Sequence, residues 1–256
     1  MHPILILIAS LFLYFSNANI AIAENVHVAA IDWCPQLCSD ENKPGYVNEI
    51  TELIFVGSQY KLLIETFSWS RAIHQVKVGE SFALLSPAKA EAPGLIYPSN
   101  EIGVQRMCIF IPANNKWRYS GAESLKKLRI GIASDASIEA LNPYVNDKSF
   151  NFQPMHYDKN FIAKNIKMIA ANRLDAFIFT QNTTRHQLNK MGINQNYINA
   201  GCVSEEKIYM AFSSDQSLAG KVNALKKYFD EKIIDLYRSG KIDEVLKKYQ
   251  VTPWRK

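Results

Sequence analysis

The sequence predicts an exported α/β protein built as two lobes with mostly parallel sheets. Three observations predict it. Short β-branched runs alternate with stretches whose apolar residues recur at helical spacing, the pattern of strands crossed over by helices. A polar, turn-rich stretch at 114–121 divides two such series. An apolar segment free of Asp, Glu, Lys and Arg, residues 1–23, heads the chain. Composition adds exclusions. With 48% hydrophobic and 21% charged residues, the chain is not a disordered one, and 4 Cys in 256 residues do not make a disulfide-dense scaffold. The net charge of +5 is mild and no five Lys or Arg are consecutive, so the lysines read as solvated helix faces and no nucleic-acid partner is expected.

The leader comes first. The apolar run from Ile4 to Phe15 is short for a bilayer span. Ala21 and Ala23 place small residues where signal peptidase accepts them, so cleavage is expected after Ala23. The n-region lacks Lys and Arg, which leaves an uncleaved anchor as the rival. No Cys sits near the cut, which argues against a lipid-modified N-terminus. Residues 26–31 then read as a buried strand, and Pro35, Pro44 and Gly45 break the loop at 32–45. Val47, Ile50, Leu53 and Ile54 mark a helix, and 62–67 a second strand. The helix over 69–78 has Ala72, Ile73 and Val76 inside and Gly79 as its stop. Residues 82–85 and 104–111 read as strands.

Beyond the divide, 128–132 reads as a strand and leads to a short helix from Ile138. Ile162, Ile166, Ile169 and Ala170 form a helical stripe, followed by a strand over 176–179. The strand at 208–212 returns the chain to the first unit. Leu225, Phe229, Ile233 and Leu236 mark one C-terminal helix; Gly240 breaks it, and Ile242, Val245, Leu246 and Tyr249 mark another. In an oxidising compartment four Cys most simply make two bridges, in any of three pairings. The local pair Cys34–Cys38 with Cys108–Cys202 is favoured. A metal at Cys34 and Cys38 is the rival, but no His lies near them and no second Cys pair supports it, so no metal or cofactor is expected.

An ordered series of weak motifs adds a resemblance that spans nearly all of the chain after the leader. It runs through Trp33, Cys34 and Pro35; Pro44, Gly45 and Tyr46; Trp69, Ser70, Arg71 and Ala72; Gly79 and Glu80 through Ser86 and Pro87; Tyr97, Pro98 and Ser99; Leu125 through Gly131; Asn172 through Ala176; and Ser239 and Gly240 before Tyr249. In this order they resemble the extracytoplasmic solute-binding proteins of ABC importers, polar amino acid type (bacterial extracellular solute-binding protein family 3). The resemblance implies a type II periplasmic-binding-protein fold, two lobes joined by two crossing strands with a ligand cleft between. Lobe one would be 24–112 plus 208–256 and lobe two 113–207. One continuous sheet, or a gap filled solid by side chains with no room for a guest, would end it.

The resemblance also implies where a ligand would sit. Trp69 aligns with an aromatic that stacks on ligands, against a reading as a core Trp. Trp33 and Tyr46 would wall the cleft or pack the core. Arg71 would fork onto a carboxylate or phosphate, or make a surface salt bridge. Ser86 ends a buried strand. Ser137 and Ile138 would offer helix N-terminal N–H groups to an anion, with Ser137 equally plausible as a plain N-cap. Thr180 stands where the family often places an acid, and Tyr157 is a weaker candidate. Two departures stand out: no Arg occurs from Ala72 to Gln105, where the family keeps a carboxylate clamp, and Thr180 replaces the ammonium-binding Asp. Burying an amino acid's two charges without partners is costly.

The expectation is therefore a periplasmic, monomeric, non-catalytic binding protein that hands a small polar or anionic metabolite, not a standard α-amino acid, to an ABC permease at the inner membrane. Two alternatives remain. One is a periplasmic dehydratase- or lyase-like enzyme on the same scaffold, with Glu91, His156 or Asp135 as acid or base. The other is a ligand-sensing module for a receptor; the chain carries no appended transmembrane or kinase segment, which favours a free binding protein.

Overall fold

In a computed structural model the described residues are 23–40, 42–134 and 137–255. Residues 1–22 of the expected leader (1–23) and candidate Asp135 lie outside them. Strands β1 (Glu24–Ala30) and β2 (Tyr60–Thr66) run parallel, joined through helix α1 (Tyr46–Phe55). Helix α2 (Trp69–Lys77) then leads to β3 (Ala83–Ala88), parallel to β1 on its other side. Both faces of β1 are covered. Val26 and Val28 pack with Val47, Ile50 and Ile54 of α1, while Ala29 packs with Ala72 and Val76 of α2. Burying a side chain of this size contributes about 1.5–3 kcal/mol each.

Strand β4 (Gly103–Pro112) follows, then β5 (Arg129–Ala133), β6 (Asn151–Met155), α3 (Phe161–Ala170), β7 (Ala176–Thr180) and α4 (Gln181–Lys190). The long strand β8 (Tyr197–Phe212) pairs antiparallel with β4 from Gly103↔Ile208 to Pro112↔Tyr197. Its end from Ile208 to Phe212 also pairs with β3, and Met107–Phe110 of β4 pairs with β7. Helices α5 (Ala219–Arg238) and α6 (Lys241–Lys248) close the chain against the first strands through Val222, Leu225, Phe229, Ile233 and Leu246.

The strand order β2-β1-β3-β8-β4-β7-β5-β6 is one hydrogen-bonded sheet. The sequence reading set a continuous sheet against two lobes. The continuity here runs only through β8 and β4, which pair with each other and each with one flanking three-strand set. Burial divides at the same strands. Two hydrophobic clusters draw on residues 26–102 and 208–251, and two on 107–200; none mixes 26–102 with 107–200.

Both favoured disulfides are present. Cys34–Cys38 closes the turn after β1, and Cys108–Cys202 joins directly paired residues of β4 and β8. The loop ahead of α1 is fixed by Gly45, at φ 100°, whose missing Cβ leaves room for the Gln36 carbonyl. Among the described residues no helix is long and apolar enough to cross a membrane.

Candidate functional site

The strands point their alternate side chains at one cavity. Ile31 and Trp33 follow β1, two residues apart and so on one side. Trp69 opens α2, Gln105 and Met107 share a face of β4, and Phe179 and Thr180 end β7. Glu91, Ser137 and Tyr157 enter from loops. The space is about 70 Å³, room for about five waters, and it is partly open to solvent. The gap between the two strand sets is therefore not filled solid.

Trp33, Trp69, Tyr157 and Phe179 bring four aromatic rings to the wall. Tyr157 stacks on Phe179 with centroids 5.1 Å apart, and Phe161 backs both rings. Trp33 is held in place by a tight backbone turn, its N–H donating to Leu37 and its carbonyl accepting from Leu37 in return. Its indole Nε1–H is buried without a protein acceptor. The hydroxyl of Thr180 is likewise buried without a partner, and although Thr180 is the N-cap of α4 its side chain caps nothing.

Glu91 is the one charged side chain lining the cavity among the described residues. Its Oε2 accepts the Ala88 N–H at 2.9 Å and its Oε1 accepts from Gln105 Nε2 at 3.5 Å. Its charge is felt next door: burial first, and then the Glu91 carboxylate, push the Tyr97 phenol up to about 12. The nearby bases are turned elsewhere. Lys89 Nζ sits over the rings of Tyr97 and Tyr209, and Arg106 pairs with Glu205 at 2.5 Å. Lys43, Arg185, His186 and Lys190 face a separate cleft of about 390 Å³ beside the Cys34–Cys38 turn. There burial, then Lys190 and Lys43, hold the His186 imidazole below its usual range.

Of the expected ligand residues, the structure brings Trp33, Trp69, Ser137, Tyr157 and Thr180 together. Four stand apart from the cavity. Tyr46 is fully buried in the core, its hydroxyl accepting from Asn182 at 3.4 Å. Arg71 is exposed on α2 with its guanidinium over Phe67, and it does not line the cavity. Ser86 is fully buried at φ 68°, in the irregular stretch where β3 shifts register against β8.

Ile138 packs in the core, and its N–H donates to Asn142 Oδ1 at 2.9 Å, so it is not offered to an anion. The helix expected there is a six-residue 3₁₀ turn, Glu139–Tyr144, interrupted by Pro143. Ile31, Gln105, Met107 and Phe179 were missed as lining residues. The signal was alternation: Gln105 and Met107 are two apart on a strand whose apolar character hid the polar one. Of the candidate acids and bases, Glu91 lines the cavity and His156 does not.

Two strand sets hinged on a pair of crossing strands, with a cavity walled from both, define the two-lobed periplasmic-binding-protein fold. No family model matches the sequence, and no curated protein does. Solved structures do. The chain is similar to the probable amino-acid ABC transporter extracellular-binding protein ytmK from Bacillus subtilis, with TM-score 0.70 and 17% identity over 89% of this chain and 97% of that one. It is similar to a histidine kinase sensor domain with similarity to periplasmic binding proteins, with TM-score 0.68 and 16% identity over 91% and 99%. It is also similar to an ancestral amino acid-binding protein, a precursor of cyclohexadienyl dehydratase, with TM-score 0.66 and 12% identity over 88% and 94%. At these identities the likeness is one of fold.

Proposed function

We propose that this chain is an exported solute-binding protein that captures a small polar metabolite and presents it to an ABC permease. The leader would be removed after Ala23, and the protein would work in the periplasm as a monomer. The observation that carries the reading is the cavity itself. Trp33, Trp69 and Glu91 come from one side of the crossing strands, and Ser137, Tyr157 and Thr180 from the other. Lobes at 24–112 plus 208–256 and at 113–207 would each own half of the site. A solute touching both halves favours the closed form over the open one by its differential affinity, and that shape is what a permease would read. A standard α-amino acid suits the walls poorly, because no Lys or Arg among the described lining residues faces a carboxylate.

A thermal-shift screen across amino acids, amines, sugars and organic acids tests the reading. A ligand at a hundred times its Kd stabilises by about 2.7 kcal/mol, and small-angle scattering should show the protein compacting. If no solute moves the midpoint, capture is the wrong function. The likeness to a sensor domain supports a second reading, in which the closed form signals to a receptor. A permease gene beside this one, against a sensor kinase gene, separates the two. Turnover of a prephenate-like acid by purified protein would instead favour the dehydratase reading.

A further inference from the structure

We infer that the Cys34–Cys38 bridge is a thiol-exchange site, opened by a small dithiol from the separate cleft, and that opening it frees Trp33 from the wall of the solute cavity. This goes beyond the capture reading and does not depend on it. One turn faces both spaces. Trp33 lines the cavity, while Cys34 and Cys38, both partly exposed, line the cleft of about 390 Å³. A cleft of that size admits a small molecule. The other bridge differs: Cys108 is fully buried, and its loop spans 94 residues against 4. A bridge that closes so short a loop takes little freedom from the unfolded chain. The fold therefore survives its opening, and the effect stays local.

The effect falls on Trp33 because the rest of the turn is bolted down. The Tyr46 and Val47 N–H groups, at the start of α1, donate to the Pro35 and Gln36 carbonyls at 2.9 and 3.0 Å. Leu37 is buried in the core, and the Cys38 N–H donates to the Pro44 carbonyl at 2.7 Å. Trp33 has no such anchor beyond the turn. Its backbone is held by the Leu37 carbonyl and by the Leu37 and Gln36 N–H groups, at 2.6, 3.1 and 3.0 Å, and the bridge ties the next residue across to Cys38. Without the bridge those hydrogen bonds, each small in net terms, alone resist local opening. In the exchange a thiolate of the dithiol attacks one bridge sulfur. The S–S bond breaks, and the other cysteine leaves as a thiolate that takes up a proton. The second thiol then attacks the mixed disulfide and releases the remaining cysteine. Two electrons and two protons pass to the bridge, and the dithiol departs as a cyclic disulfide.

Titration of the full chain with dithiothreitol, trapped by iodoacetamide and mapped by mass spectrometry, tests the site. Cys34 and Cys38 should be alkylated at lower reductant than Cys108 and Cys202. At that point hydrogen exchange at the Trp33 and Leu37 amides should quicken by about tenfold or more, while β4 and β8 keep their protection. Trp33 is only 7% exposed, so acrylamide should now quench an indole that it reached poorly before. Trp33→Phe should abolish that gain, and Cys34→Ser/Cys38→Ser should show it without reductant. A short bridge that stays closed, or that opens with or after the long one, would overturn the inference. So would a reduced turn whose Trp33 amide and indole stay as protected as before. Labelling order and exchange are read on the unaltered chain, so a variant that fails to fold does not blunt the test. No readout here uses a solute: failure leaves capture standing, and failure of the solute screen leaves this site standing.

Discussion

The bridge between the crossing strands should be the larger of the two covalent contributions to stability. Cys108 and Cys202 are 94 residues apart in sequence, whereas Cys34 and Cys38 are 4 apart. In the chain-entropy account, cross-linking removes freedom from the unfolded chain in proportion to the logarithm of the closed loop. That gives about 4.7 kcal/mol for the long loop and about 2 kcal/mol for the short one. The first figure is a large share of the roughly 5–15 kcal/mol that a folded domain commands. Urea unfolding of Cys108→Ala/Cys202→Ala should therefore lose more than twice as much as Cys34→Ala/Cys38→Ala. The long-loop variant should also show a steeper denaturant dependence, because its unfolded chain exposes more surface. Equal losses, or a larger loss at the short loop, would refute the reasoning and place the benefit in native-state contacts instead.

Three more perturbations follow from the same geometry. Gly45→Ala should cost more than about 2 kcal/mol, because a left-handed φ is combined with a Cβ driven into the Gln36 carbonyl; a melting midpoint near wild type would contradict it. Gly131→Ala should cost about 1–3 kcal/mol, since its Cβ collides with Asn165 Oδ1 and lies 2.9 Å from Leu174 Cδ1. Asn165→Ala in the same chain should recover part of it. At Glu101, burial would raise the carboxyl, but the Arg255 hydrogen bond and the Lys207 ammonium outweigh burial and hold it at about 2 against an ordinary 4.5. A depressed carboxyl stabilises fully above its unfolded value and loses that benefit as pH falls through the folded one. Glu101→Gln should flatten the fall in midpoint between about pH 4.5 and pH 2, and an unchanged slope would exclude Glu101 as its source.

Much of this fold was legible because burial imposes periodicity. The strands read at 26–31, 62–67, 82–85, 104–111, 128–132 and 176–179 correspond to β1, β2, β3, β4, β5 and β7, whose inner positions must be apolar. What escaped detection lies where burial is weak. Strand β6 is mostly exposed along Asn151–Met155, and β8 before Ile208 is mostly partly covered or exposed, so only its buried end from Ile208 stood out. Helix α4 buries Thr183 and Thr184 beside Leu188, and a polar stripe gives no hydrophobic signal. The site divides in the same way. Trp33, Trp69 and Thr180 come from positions that follow or end a strand or open a helix, which the resemblance located, whereas Tyr157 enters from a loop that no motif marks. Arg71 and Ile138 misled because a residue type and an approximate helix start do not fix direction. Arg71 lies on the outer face of α2, and Asn142 occupies the Ile138 N–H.

If the proposed capture function holds, the buried hydroxyl of Thr180 should tie stability to capture in opposite directions. It lines the cavity, caps no helix and has no protein partner. An unmet buried polar group costs about 1–3 kcal/mol, so under the proposed capture function this arrangement would be penalised until a solute met the hydroxyl, and an open cleft would hydrate it at no such cost. Thr180→Val keeps the shape and removes the penalty. The midpoint of the free protein should rise, in step with roughly 1 kcal/mol of relief, while the rise on adding a bound solute should shrink, because the solute loses a hydrogen-bonding partner. Were the hydroxyl serving the free protein instead, the same substitution would lower the free midpoint and leave the solute's increment intact. The two outcomes have opposite signs in both measurements, so a single pair of melting curves decides whether Thr180 belongs to the fold or to the solute.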